Sequence, residues 1–155
     1  MKNLSIISSP NEYFYDVFTH HIKQQKIVLD KDVEFYIVQL LSRFIKTENV
    51  YLATSSGYEN SPLCLLLKEA DDERSLDVKR LLFRQVGDLA IYTVGVFSAK
   101  NINNHYYELI GKMAYNSAAA LYQKDNIKNL YRDLSCNFGT ITRILKTIPD
   151  LILVK

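Results

Sequence analysis

Cysteine is scarce in this sequence, which has only Cys64 and Cys136 in 155 residues. Two cysteines cannot form the dense disulfide framework of a small secreted protein. Both lie within apolar helical patterns, so we expect reduced thiols that pack as small hydrophobic side chains. The scarcity of cysteine therefore favours a reducing compartment.

Long hydrophobic runs are also missing. The longest nearly apolar stretch, residues 89–99, is about half the length that crosses a bilayer. The apolar residues near the N-terminus are too few for a signal peptide. No repeat, linker or low-complexity segment divides the chain. We therefore expect one helical domain over residues 1–155, cytoplasmic and without a membrane partner.

The sequence lacks the common motifs of metal binding and catalysis. It has no H-x-x-x-H, E-x-x-H or C-x-x-C spacing, and the adjacent His20 and His21 point about 100° apart on a helix. It also has no P-loop, no G-x-G-x-x-G turn and no G-x-S-x-G elbow. We therefore predict no metal ion, no cofactor and no recognisable catalytic residue.

What the chain does have is an uneven distribution of charge. Residues 1–78 carry 8 basic and 12 acidic side chains, whereas residues 79–155 carry 11 basic and 5 acidic ones. Such asymmetry fits a nucleic-acid-binding half, two halves that pack together, or subunits that pair head to tail. Because the basic residues are spaced singly apart from Lys79-Arg80, binding of nucleic acid is the least favoured of these.

Apolar residues recur at helical spacing along most of the chain, which predicts an all-α bundle of five to six helices. Ser9, Pro10 and Glu12 form a capping box that starts the first helix. The acidic residues 71–73 are expected to lead the fourth helix, where they would suit its dipole. The predicted helices span about 10–24, 31–47, 62–70, 75–97, 105–123 and 126–147.

The fourth helix, about 75–97, is the hydrophobic centre of the sequence. It is apolar on nearly every side, which is typical of a helix surrounded by others. Gly87 and Gly95 are eight residues apart and thus on one face. Each glycine costs about 1 kcal/mol against alanine in a helix, so we expect another helix to approach closely there.

The last predicted helix carries a seam with alternating steps of four and three residues, as in a coiled coil. We expect this seam to pack on one partner helix, in the same chain or in a second subunit. The apolar tail, residues 151–154, is expected to dock on the body or on another chain. The candidate interface residues are Ile127, Tyr131, Leu134, Phe138, Ile141, Leu145, Leu151 and Leu153.

Three segments carry a resemblance to a known group of proteins. Val86-Gly87-Asp88-Leu89-Ala90-Ile91-Tyr92, Gly95-Val96-Phe97, and Tyr106-Tyr107 with Gly111-Lys112-Met113-Ala114-Tyr115 resemble small helical bacterial proteins of uncharacterised function. The resemblance covers roughly residues 33–122. It implies an all-helical fold and a bacterial, cytoplasmic setting, and it brings no activity.

Asp88 is the residue most suggestive of a site, because it lies in the apolar central helix. A carboxylate there must be paired or hydrogen-bonded, or its pKa must rise. Asp88 is either a buried hydrogen-bonding residue that fixes the helix register or part of a functional site. The candidate ligand-binding residues are Asp88, Arg43, Arg84, Tyr92, His105, Tyr106 and Tyr115.

Three functions follow from these features. The first is a non-enzymatic helical protein-interaction or regulatory module that associates with itself, most simply as a homodimer. The eleven tyrosines support it, since tyrosine is enriched at interfaces, although they also suit the boundary of a small core. The second is a small-molecule or cofactor binder with a pocket near Asp88. The third is an enzyme with Asp88 as acid or base.

Overall fold

The computed structural model describes residues 10–44, 62–97 and 103–148. Within these ranges 86% of the residues are helical and none forms a strand, which confirms the predicted all-α bundle. The described helices are α1 (Pro10–Gln24), α2 (Lys31–Phe44), α3 (Pro62–Asp72), α4 (Leu76–Ile91), α5 (Asn104–Ala120), α6 (Asp125–Cys136) and α7 (Phe138–Thr147). A π-helical turn (Tyr92–Phe97) continues α4.

Polar side chains begin the two central helices. The Ser75 hydroxyl accepts a hydrogen bond from the backbone N–H of Val78 at the start of α4. Asn103 Oδ1 accepts one from the backbone N–H of Tyr106 at the start of α5. Both satisfy an N–H group that has no partner within its helix. The predicted cap of α1, Ser9, lies outside the described residues.

Helices α4 and α5 form the centre of the bundle. They pack along each other, α3 covers α4 and part of α5, and α6 packs on the other side of α5. Helix α1 packs on α2, and α7 packs on the π-helical turn. Tyr115, Phe18 and Phe138 are the largest fully buried side chains. None of the helices in the described ranges is long and apolar enough to cross a membrane.

Close helix packing occurs at the two glycines where the sequence predicts it. A Cβ on Gly87 would lie 2.6 Å from Tyr115 Cε1, and one on Gly95 would lie 2.8 Å from Leu145 Cδ1. The two glycines meet different helices, because the π-helical turn changes the direction of the face after Ile91. Gly111 similarly admits the ring of Phe138 beside Ala90.

The prediction of one continuous last helix is wrong. The chain breaks at Asn137, which separates α6 from α7. The Asn137 side-chain amide donates a 2.9 Å hydrogen bond to the Asp133 carbonyl oxygen. Local hydrogen bonds of this kind compete with the helix ladder, which is why asparagine is a poor residue for a helix interior.

The seam of that predicted helix lies inside the chain. Five of its residues are buried within the bundle. These residues therefore pack within the same chain, which is one of the two predicted alternatives for the seam. These residues are Tyr131, Leu134, Phe138, Ile141 and Leu145. Ile127 is half-buried. The tail residues Leu151 and Leu153 lie outside the described residues.

Two further expectations about burial and charge are corrected. Asp71 and Asp72 lie in the last turn of α3 rather than ahead of α4, because α3 continues two residues past its predicted end. The fourth and fifth helices are also less enclosed than their composition predicts. Leu81, Leu109 and Met113 are each more than two-fifths exposed, since nothing in the described bundle covers that side.

Candidate functional site: the Asp88 cluster

Asp88 lies at the point where three helices meet. Its side chain is 1% exposed and accepts hydrogen bonds on both carboxylate oxygens. The hydroxyls of Tyr36 and Tyr115 donate to Oδ1 at 2.7 Å and 2.6 Å. Arg43 Nη2 donates to Oδ2 at 3.0 Å and forms an ion pair with it. The carboxylate is therefore neutralised and hydrogen-bonded, as a buried charge requires.

The helices place these donors by simple spacing. Tyr36 and Arg43 are seven residues apart on α2, two turns of helix, and so they share the face that looks toward α4. Tyr115 reaches Asp88 from α5, where the missing side chain of Gly87 makes room for its ring. The cluster of Asp88, Tyr36, Arg43 and Tyr115 thus ties α2, α4 and α5 together.

A group of aromatic rings extends from this cluster. Tyr131 of α6 packs edge-on against Tyr36 at a centroid distance of 5.9 Å and stacks on Tyr115 at 6.1 Å. Tyr122 stacks on Tyr131 at 5.5 Å, and the Arg80 guanidinium lies 4.7 Å from the centre of the Tyr122 ring. The aromatic contacts therefore add α6 to the three helices joined at Asp88.

Arg80 has a clear structural role at the far end of these rings. Its Nε and Nη2 donate hydrogen bonds of 3.1 Å and 2.8 Å to the Leu121 carbonyl oxygen at the end of α5. A positive charge is favourable at a helix C-terminus, where carbonyl oxygens have no partner within the helix. Arg80 thus stabilises the end of α5 and holds Tyr122 against Tyr131.

Burial and the nearby carboxylate keep the tyrosines of the cluster protonated. Desolvation raises the pKa of Tyr36 and Tyr115 well above the usual value of 10, and the negative charge of Asp88 raises each further. Burial likewise raises the pKa of Tyr131 to about 12. At neutral pH all three phenols are hydrogen-bond donors, and none is a phenolate base.

Arg84 lies one turn before Asp88 and is electrostatically linked to the same groups. Burial lowers the pKa of Arg84, but Tyr36, Asp88 and a side-chain hydrogen bond to Tyr131 raise it by more, so the pKa is raised and the side chain stays charged. Within this bonded side chain, the buried Nε atom itself has no hydrogen-bond partner. A buried donor without an acceptor is costly, which makes this atom the feature of the cluster most suggestive of a ligand.

The arrangement is best suited to holding helices together. Both oxygens of Asp88 are engaged, and its three donors come from two other helices. Arg43, whose side chain is 41% exposed, connects the cluster to solvent. Within the described ranges no three His, Cys, Asp or Glu side chains come together as the ligands of a metal ion do.

The structure brings together only some of the predicted site residues. Asp88, Arg43 and Tyr115 are in direct contact, and Arg84 is beside them. Tyr92 instead stacks on Phe44 at a centroid distance of 4.7 Å. The other two predicted residues lie on α5, ten and nine residues before Tyr115, about 15 and 14 Å along the helix. These are His105, which is exposed, and Tyr106, whose ring packs edge-on against Tyr107.

Tyr36 and Tyr131 belong to this cluster but were not among the predicted ligand-binding residues. Tyr36 reads as an ordinary core residue of α2, and Tyr131 as part of the α6 seam. The spacing of Tyr36 and Arg43 contains a usable signal, because a residue two turns before a charged partner of Asp88 shares its face. No comparable signal in the sequence links Tyr131 to Asp88.

A second feature lies on the outside of α3, α4 and α5. Six large hydrophobic side chains of these three mutually packed helices are at least two-fifths exposed, and we call them the outer apolar residues. They are Leu65, Leu76, Val78, Leu81, Leu109 and Met113. Leu65 is 66% exposed. Leu109 and Met113 are four residues apart and share one face of α5, whereas Leu76 and Val78 lie about 160° apart around α4. Single exposed hydrophobic residues are common, and a contiguous group of them is typical of a protein-binding surface.

Comparisons with known proteins give no relative of this chain. No protein-family model, no curated protein and no solved structure matches it. The resemblance to small helical bacterial proteins therefore stays a prediction, and the function is argued from the geometry of the chain itself.

Proposed function

We propose that this chain is a non-enzymatic helical protein-interaction module that associates with itself. The observation that carries the proposal is the group of outer apolar residues on α3, α4 and α5. Removing such side chains from water is the main favourable term in protein association. The cytoplasmic location and bacterial origin suggested by the sequence belong to this proposal, and two exposed cysteines without a disulfide are consistent with a reducing compartment.

The Asp88 cluster supports the same function indirectly. A binding surface composed of several helices needs those helices in fixed positions, because ordering them on binding would cost affinity. Asp88 and its donors fix α2, α4 and α5 relative to one another. In this proposal the buried cluster preorganises the bundle, and the outer apolar residues make the contact.

Sedimentation velocity over a range of micromolar concentrations tests the proposal. We expect the unmodified chain to sediment as a dimer or larger species, and Leu65→Ser to shift it toward monomer by at least about tenfold in Kd. Val28→Ser is the matched control, because Val28 is 93% exposed but lies between α1 and α2, away from the outer apolar residues. Equal effects of the two substitutions, or a monomer throughout, would refute the proposal.

A second function is favoured by one observation, the unpartnered Nε of Arg84. A small anionic molecule bound beside Asp88 would supply the missing acceptor. Native mass spectrometry of gently purified protein tests this alternative. A retained non-covalent mass that is lost on Arg84→Met, in a variant that stays folded, would support a small-molecule binder. A spectrum that shows only the mass of the chain would count against this alternative, and the Arg84 Nε would then be a structural feature only.

A further inference from the structure

We infer that the second copy of the chain docks its α6 along α3, so that the acidic side of one copy meets the basic side of the next. This inference rests on the proposed self-association and specifies one contact within it, at α3, the helix that carries the outer apolar residue Leu65. It is supported by three independent features of the described helices: the charges on α3, the charges on α6, and the placement of these two helices in the fold.

The acidic side is the end of α3. Glu69, Asp71 and Asp72 are exposed in its last turn. Negative side chains are unfavourable there, because the C-terminus of a helix already carries partial negative charge. Lys68 offsets this only weakly, through a 3.9 Å ion pair with Asp72 in which both side chains are largely exposed. Lys79 Nζ also caps this end, through a 3.0 Å hydrogen bond to the Asp71 carbonyl oxygen. The three exposed carboxylates still outnumber these two lysines, so this end would attract a cationic partner, and the exposed Leu65 lies one turn before Glu69.

The basic side consists of α6 and α7 together. Lys124, just before α6, and Lys128 and Arg132 within it recur every four residues and so form one stripe along the helix. Within α6 itself, Asp125 and Asp133 balance Lys128 and Arg132. The net positive charge of this side therefore comes from Lys124 and from the exposed Arg143 and Lys146 of α7.

The fold keeps these two sides apart within one chain. Helices α3 and α6 both pack on α5, but they do not form a packed pair with each other. The acidic and basic sides are therefore free to meet between copies. The α3–α6 contact is either made twice, in a two-fold dimer, or made once per pair of copies, in a ring or an open assembly.

A register that pairs Asp72 with Lys128 can be checked through the two cysteines. Cys64 precedes Asp72 by eight residues on α3, and Lys128 precedes Cys136 by eight residues on α6, about 12 Å of helix in each case. An antiparallel α3–α6 contact that pairs Asp72 with Lys128 therefore places Cys64 opposite Cys136. It also places Glu69 close to Arg132. Both cysteines are exposed and carry no disulfide.

Oxidative cross-linking of the full chain tests this register. Diamide takes two electrons and two protons from a pair of thiols and joins them as a disulfide. We expect a covalent dimer on a non-reducing gel whose linked peptides are mainly Cys64–Cys136, with little Cys64–Cys64 or Cys136–Cys136. Cys64→Ser should abolish that linkage. Predominance of either symmetric linkage would overturn the inference, because it would place α3 against α3 or α6 against α6.

A charge exchange gives a readout that is independent of the cysteines. Asp72→Lys and Lys128→Asp should each weaken self-association by about tenfold or more, because each places like charges in contact. The double variant should recover association to within about threefold of the unmodified chain, since every copy then carries both exchanged charges. The test is sedimentation velocity, with circular dichroism to confirm that each variant is folded.

The outcomes separate this inference from the proposal on which it rests. Self-association without rescue in the double variant, together with symmetric cross-links, would overturn the α3–α6 contact and leave the interaction module standing. A chain that is monomeric at every concentration would refute both. Rescue with a Cys64–Cys136 cross-link would support both.

Discussion

The Tyr115 hydroxyl donates a 2.6 Å hydrogen bond to Asp88 Oδ1, and the ring of Tyr115 reaches that position across Gly87. The hydrogen bond of Tyr115 to Asp88 therefore depends on the close contact of its ring with Gly87, the residue next to Asp88 in α4. Because Tyr115 is fully buried, its ring has no freedom to move aside. This relationship makes the stability of the bundle sensitive to very small changes at either position.

Replacing Tyr115 with phenylalanine should lower the free energy of unfolding by about 1.5–3 kcal/mol, the range for a hydrogen bond to a charged group. The ring and its packing on Gly87 remain, so the loss of stability measures the contribution of the hydroxyl alone. Urea denaturation measures the effect. Tyr15→Phe is the control, because Tyr15 is 42% exposed and its substitution should be nearly neutral. Equal stability of the two variants would show that the bond contributes little.

Replacing Asp88 with alanine should be more damaging, at about 3 kcal/mol or more, because Tyr36 and Tyr115 would then be buried without their acceptor. Asp88→Asn should lose less, since an amide oxygen still accepts a hydrogen bond. Chemical denaturation ranks the two variants. If both retained full stability but lost self-association or a bound ligand, Asp88 would be a functional residue rather than a structural one.

Replacing Gly87 with alanine should destabilise the chain by about 1–3 kcal/mol, even though alanine favours helix formation by about 1 kcal/mol. The new Cβ would lie 2.6 Å from Tyr115 Cε1. Gly139→Ala is the matched control, since its Cβ would meet only the end of the Glu108 side chain, at 3.4 Å. We expect that control to be neutral or slightly stabilising in thermal unfolding. The opposite ranking would contradict the packing described at Gly87.

Alkaline pH should unfold the chain through its buried tyrosines. The pKa of Tyr131 is raised from 10 to about 12, so the folded state holds this proton more tightly than the unfolded state. Its contribution to stability is complete below pH 10 and is lost as the pH rises toward 12, in total about 2–3 kcal/mol. Tyr36 and Tyr115 shift in the same direction.

Denaturation with urea at a series of pH values, followed together with tyrosinate absorbance, measures this loss. Tyr36, Tyr115 and Tyr131 should ionise only as the chain unfolds. Stability that is constant up to pH 12, or ionisation of these three tyrosines while the chain is still folded, would contradict the described burial.

The fold class could be predicted from the sequence because helical periodicity is a local property. Pro10 gave a usable start signal, and the bounds of α1 and the start of α2 agree with their periodic patterns. The predicted end of α2, about residue 47, lies outside the described residues. The break at Asn137 could not be predicted in this way, since the seam continues through it in register. Tertiary packing of Phe138 against Gly111 accompanies the break, and the pattern of α6 and α7 alone does not reveal that contact.

The candidate site was partly predictable for a similar reason. A carboxylate in an apolar helix requires partners, and this identified Asp88 together with Arg43 and Tyr115. Tyr36 and Tyr131 were missed because a tyrosine of the cluster occurs at the same helical spacing as an ordinary core residue. His105 was included because of its chemistry, although its position on α5 places it near the other end of the helix from Tyr115.

Native mass spectrometry of the unmodified chain at micromolar concentration tests the central claim most directly, because one spectrum reports both the number of subunits and any retained ligand. The proposed function predicts a dimer or larger assembly at an integer multiple of the chain mass, with a population that falls as ionic strength rises. A monomer at all concentrations would contradict self-association, and a monomer with a retained non-covalent mass would favour the small-molecule binder instead.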